Sequence, residues 1–237
     1  MKTIKIVNTA SQLPEKIVSN DDLSKIMDTS DEWISSRTGI KNRHIAVEET
    51  TASLAAGVIK KLLLQSQVDP AEIGFIIVAT MSPDSTAPAA AAKAEQLAGL
   101  NGIAAFDLNA ACSGFAFAFT TASGLVNSLD CKYGIVIGSE TLSKLVDWQD
   151  RRTAVLFGDG AGGVLVQAVD EDERLLASDL KTLAGDADYL TAGFLPRQGW
   201  GQKKLGSPYF QMDGHAVYPL RHGKFPGRSA TLLPRQS

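Results

Sequence analysis

Apolar residues recur along most of the chain in blocks whose period switches between two and about four. The opening MKTIKIVNTA alternates apolar and polar positions, the period of a half-buried strand. Asn20 follows as a cap for the short helix DDLSKIM. Residues 28–30 then bring a turn into DEWISSRTGIKNRHI, a polar stretch with one tryptophan exposed among charges. Across residues 52–65, Leu54, Val58, Ile59 and Leu62 fall on one side of a helix, and IGFIIVAT after it reads as a buried strand. The unit repeats: Pro88 stands where the alanine-rich helix AAAAKAEQLAGL begins, Gly102 follows its end, and IAAFDLN is another apolar strand. Residues 113–129 are apolar nearly all round, which predicts a central helix, and YGIVIGSE returns as a strand. TAVLFGDGAGGVLVQAV reads as two further strands joined at glycines. Such alternation predicts an α/β layered domain with a mostly parallel, covered sheet.

The pattern holds without a linker to about Asp170, where DEDER makes a charged break, and weakens from Leu175. Segments 1–170, 171–218 and 219–237 are therefore separate expectations. The last, PLRHGKFPGRSATLLPRQS, carries four Lys or Arg residues, three prolines and no acid, unlike the rest. A length of 237 residues with 44% hydrophobic residues suffices for a sizeable core. The net charge of −3 is well mixed, so no global field marks a nucleic-acid or membrane binder. The N-terminus lacks the apolar block and cleavage site of a secretory signal, and no run is apolar and long enough to span a bilayer. Two cysteines, Cys112 and Cys131, make neither a disulfide framework nor a metal motif, which fits a reducing cytoplasm.

GDGAGG matches G-x-G-x-x-G through Gly158, Gly160 and Gly163, but strand-like VLVQAV follows where a dinucleotide site needs a helix N-terminus. A tight turn between strands is the expectation. Cys131 has no charged activator and reads as filler. His44 sits in a polar, basic stretch suited to local hydrogen bonding. His215 and His222 lie close to the odd tail, and no histidine pair has metal-ligand spacing. Cys112 falls between a strand and a helix, where unpaired N–H groups and the helix dipole favour a thiolate. Small neighbours, Ala110, Ala111, Ser113 and Gly114, leave room for a substrate but equally permit close packing. Position alone leaves nucleophile and filler both open.

DTSDEWISSRTGI, AACSGF, the Asp150–Arg151 pair, FGDGAGG and MDGHAVY together resemble β-ketoacyl-acyl-carrier-protein synthase III, the initiating condensing enzyme of type II fatty acid synthesis. The resemblance runs to Tyr218. It implies a thiolase-like fold of two similar halves, with the N-terminal half complete here and the C-terminal half truncated. It makes Cys112 the residue that takes an acyl group from acyl-CoA as a thioester. Trp33 and Arg151 match positions that hold the CoA adenine between an aromatic face and a guanidinium. Thr29 and Arg37 match neighbouring polar and phosphate-side contacts. Met212, Gly214 and Tyr218 fall where the family lines its pantetheine tunnel, Gly214 permitting close backbone approach. Ala87 matches a position that reaches toward the acyl pocket of the other subunit in the family's homodimer. A small residue there implies room for longer or branched primers.

The implied partners are acyl-CoA and malonyl-acyl-carrier protein, with no cofactor, metal, nucleic acid or membrane span. The family's decarboxylation pair is a histidine in an HQAN-type segment and an asparagine in a GNTSAAS-type segment. Neither segment occurs in the sequence, nor does the glycine-rich segment of the oxyanion hole. The expectation is thus a chain with a frameshifted, disordered tail after Tyr218 that dissolves poorly and does not condense. The other readings are a non-catalytic CoA-binding remnant and a related enzyme such as hydroxymethylglutaryl-CoA synthase.

Overall fold

Strand β1 (Thr3–Gln12) opens the chain, followed by a short ribbon strand β2 (Ile17–Ser19) and a single helical turn α1 (Asn20–Leu23). Ser19, not Asn20, caps that turn, in a reciprocal box with Asp22, because Asn20 is buried and its side chain is used elsewhere. Helix α2 (Asp31–Thr38) is capped by Ser30 and ends at Gly39 with φ +72°, a left-handed stop suited to glycine. Strand β3 (Asn42–His44) pairs with β2. The unit continues through α3 (Thr51–Ser66), β4 (Ile73–Ala79), α4 (Ala90–Leu97), β5 (Ala104–Leu108), α5 (Gly114–Ser128), β6 (Tyr133–Thr141), α6 (Arg151–Ala154) and β7 (Asp159–Val169). Beyond it lie β8 (Leu190–Thr191), β9 (Gln211–Met212) and α7 (Gly214–Arg221). These come from a computed structural model that describes residues 2–170, 175, 177–182, 184–194 and 206–221. The chain divides into units Met1–Thr182 and Leu183–Ser237, later than the charged break near Asp170, and the tail 222–237 lies outside the described residues.

The five-stranded sheet runs β1-β7-β6-β4-β5. Only half its pairings are parallel, β4 with β5 and β4 with β6, whereas β7 lies antiparallel to both β6 and β1. The expected mostly parallel sheet is corrected accordingly. The segment between β6 and β7 contains short helical turns and no full crossover helix, so the chain returns antiparallel. Alternate side chains feed two cores. Ile76, Val78, Ile135, Ile137 and Leu165 face α3 and α4, and Phe75, Ile77, Val136, Val164 and Val166 face α5. All four apolar residues predicted for the α3 face are buried. Helix α5 differs from its prediction: among the described residues only Gly114, Ala118, Ala122 and Val126 are buried, a single stripe at four-residue spacing, and Phe115 is exposed.

GDGAGG is not a turn between two strands. Its last five residues begin β7 itself, and the apolar TAVLF before it supplies the end of α6 rather than a strand. The glycines answer crowding: a Cβ on Gly163 would sit 2.8 Å from the Val136 carbonyl oxygen and 2.9 Å from Val58 of α3. One on Gly158 would sit 3.1 Å from the His44 carbonyl oxygen. The motif serves sheet-to-helix contact, and no helix follows it to receive a pyrophosphate.

Candidate functional site

Strand β5 ends at Leu108 and the chain turns sharply before α5. The Ala111 N–H donates to the Asn109 side chain (3.1 Å), and Ala111 takes φ +46°, a left-handed conformation that costs a non-glycine residue about 1 kcal/mol or more. Residues Ala111–Ser113 form one 3-10 turn leading into α5, whose N-cap Ser113 supplies no side-chain hydrogen bond to the first-turn N–H groups. At the start of α5, a Cβ on buried Gly114 would lie 3.3 Å from Ala79 at the end of β4. Cys112 therefore stands exposed on a constrained elbow, beside the carboxyl ends of the parallel strands β4 and β5. That combination separates it from Cys131, which is half-buried against Gly74 and whose thiol pKa burial pushes up.

The second cluster centres on Trp33. It is half-buried rather than exposed, packed on the small core of Leu23, Ile34 and Val155. Arg37, one turn along α2, holds its guanidinium carbon 4.6 Å from the ring centroid and donates to the Trp33 carbonyl (3.2 Å). Arg151 reaches the same ring from α6, at 4.9 Å. The Arg151 guanidinium also donates to the Asp28 carbonyl oxygen (2.7 Å) and meets the Asp28 carboxylate at 3.4 Å. Asp150 fixes the start of α6 by accepting from the Arg152 N–H and side chain, and that guanidinium holds the Asp150 carboxyl below the usual carboxylate range. Stacking through a flat base takes two contacts of about 3.5–4 Å each, roughly 7 Å in all. Trp33 and Arg151 are in direct contact, so they must part by roughly 2 Å to sandwich one. Beside them the Thr29 hydroxyl oxygen is buried without a hydrogen-bond partner.

Ala87 is exposed in the loop between β4 and α4. The base of that loop is fixed by Glu140, which accepts from the Met81 N–H (2.9 Å), the Ser82 N–H (3.1 Å), the Thr80 hydroxyl (3.2 Å) and the Ser82 hydroxyl. Its far end is fixed by Asp107, whose carboxylate accepts from the first N–H groups of α4, Ala90 (2.8 Å) and Ala91 (2.7 Å). Met212 ends β9 and Gly214 begins α7, both in the second unit. A Cβ on Gly214 would meet only Met212 Cε at 3.9 Å among the described residues, so no close approach within the chain requires that glycine. The Tyr218 side chain and His222 lie outside the described residues. His44 bonds the Pro14 carbonyl through Nδ1 (2.6 Å), a tie across 30 positions rather than one within its own polar stretch. Among the described residues no group of three or more His, Cys, Asp or Glu side chains is placed to hold a metal, and no helix is long and apolar enough to cross a membrane.

Sequence reasoning missed Asp28, which anchors Arg151, and the left-handed Ala111. No local signal marks either: Asp28 acts across 123 positions, and alanine carries no cue for positive φ. A model of the family described as 3-oxoacyl-[acyl-carrier-protein (ACP)] synthase III matches residues 106–184, from the strand before Cys112 past Arg151. Beta-ketoacyl-[acyl-carrier-protein] synthase III of Oenococcus oeni is 67% identical over 219 residues, 92% of this chain and 68% of that protein. The same-named protein of Streptococcus suis is 52% identical over 230 residues, 97% of this chain and 70% of that protein. The crystal structure of 3-oxoacyl-[acyl-carrier-protein] synthase III from Aquifex aeolicus superposes with a TM-score of 0.80 at 39% identity, over 92% of this chain and 67% of that one. The chain spans about two thirds of the length of these relatives.

Proposed function

The chain belongs to the 3-oxoacyl-[acyl-carrier-protein] synthase III family, and we propose from that premise that its own residues carry the acyl-CoA half of the condensing reaction. Cys112, its thiol proton given up to solvent, attacks the acyl carbonyl of acyl-CoA through the thiolate sulfur. The bond from that carbon to the CoA sulfur breaks, CoA leaves as its thiolate, and the acyl group remains on Cys112 as a thioester. In the complete reaction, malonyl-acyl-carrier protein loses CO2 and its carbanion attacks that thioester, freeing Cys112. The exposure of Cys112 on the elbow after β5 is the observation that carries this reading.

Trp33 and Arg151 take the CoA adenine once they part, Arg37 faces the phosphates, and the unpartnered Thr29 hydroxyl supplies a hydrogen bond the site otherwise lacks. On the family resemblance alone, Met212, Gly214 and Tyr218 are assigned to pantetheine contacts. Ala87 admits primers longer than acetyl, acting across a homodimer of cytoplasmic enzyme. Family membership sets aside hydroxymethylglutaryl-CoA synthase. Thiol release on mixing chain and acetyl-CoA tests the proposal: a burst approaching one CoA per chain is expected. Absence of a burst from folded, CoA-binding protein overturns it.

A further inference from the structure

Asn20 lies outside every role described above, yet it is almost completely buried and joins four polar partners. Its amide nitrogen donates to the Asp31 carboxylate (2.8 Å), the Ile40 carbonyl (2.7 Å) and, more loosely, the Ser35 hydroxyl (3.3 Å). Its amide oxygen accepts from the Arg43 guanidinium (2.7 Å). Arg43 is itself buried, with a second bond to the Val18 carbonyl (3.2 Å), no carboxylate partner among the described residues, and Nε without any partner. Only one amide orientation fits. Turned over, Asn20 would press its NH2 against a guanidinium and its oxygen against a carboxylate. The cation on one side and the anion on the other thus set the amide dipole, and both end bonds are charge-assisted.

Asp31 and Ser35 are one turn apart on α2, and Ser35 also donates to Asp31 (2.9 Å), so the amide grips one side of that helix. Trp33, two positions after Asp31, and Arg37, two positions after Ser35, present the stacking ring elsewhere around the helix. We propose that the Arg43–Asn20–Asp31 relay is a positioning device that sets the rotation of α2 about its axis, and thereby the plane Trp33 offers to the CoA adenine. This inference rests on the reading of Trp33 as the adenine platform.

The test is CoA affinity of the 237-residue chain, by calorimetry and by quenching of tryptophan fluorescence. Asn20→Asp is nearly isosteric but turns an oxygen toward Asp31 and the Ile40 carbonyl. It is expected to weaken CoA binding about threefold, short of the loss in Trp33→Ala, and adding Asp31→Asn, which removes the facing charge, to recover part of the loss. An unaltered affinity in folded Asn20→Asp, or a loss that Asp31→Asn leaves unrelieved, overturns the relay. Should neither Asn20→Asp form fold, Asp31→Ala at the exposed end of the relay decides: a loss of threefold or more supports it, and unchanged affinity overturns it. Trp33→Ala separates the two claims. If Trp33→Ala binds CoA normally, the adenine reading itself has failed; if Trp33→Ala is weakened and the relay variants are not, only the relay has failed.

Discussion

At the scale of single residues, what distinguishes one cysteine or tryptophan from another is the backbone and the charges around it. Trp33 has two guanidiniums within 5 Å, one from its own helix and one from 118 positions away, and it is partly buried against the Leu23 cluster. Truncating it to alanine, or Arg151 to alanine, is expected to cost about 1 kcal/mol of CoA binding each, roughly fivefold in affinity. Calorimetric titration with CoA reads this directly, and wild-type affinity in both variants would return them to ordinary surface chemistry. The local sequence placed Trp33 among solvated charges, and only the family resemblance joined it to Arg151. A contact across that separation leaves no trace in periodicity. The cap at Ser19 was missed for a related reason: Asn20 and Ser19 are both good caps, and burial decides between them.

Secondary elements were legible wherever one period dominated. Helix α3 buries the residues its pattern nominates because one of its faces lies on the sheet, and strands β4 and β6 bury theirs because helices cover both faces of the sheet. The glycines of β7 were not legible as strand, since crowding by the Val136 carbonyl and Val58 is a property of neighbours absent from the local window. Gly163→Ala is therefore expected to destabilise the protein by about 1–3 kcal/mol, even though alanine is the smallest possible addition. Chemical denaturation checks this, and an unchanged midpoint would show that β6 and α3 yield without cost. Asp107 ties β5 to α4 through two N–H groups, so Asp107→Ala is expected to lose about 1 kcal/mol in the same measurement. Strand direction escaped the sequence as well: helical and extended patterns say what each segment is, and only the length and content of the β6–β7 connection say which way β7 returns.

For the whole molecule, the fold places an exposed thiol at the ends of parallel strands and an aromatic–guanidinium cluster in the same unit, in a chain that belongs to a family of condensing enzymes. If Ala87 leaves the primer pocket open, four-carbon and branched acyl-CoA should acylate the protein at rates within about tenfold of acetyl-CoA, a difference of about 1.4 kcal/mol in barrier. Ala87→Phe should suppress the larger primers selectively. Equal rates for every primer in both forms would remove Ala87 from specificity. The most direct measurement of the central claim is the intact mass of the chain after incubation with acetyl-CoA. One acetyl adduct is expected in the wild type and in Cys131→Ser, and none in Cys112→Ser; an adduct that survives Cys112→Ser, or disappears with Cys131→Ser instead, contradicts the account.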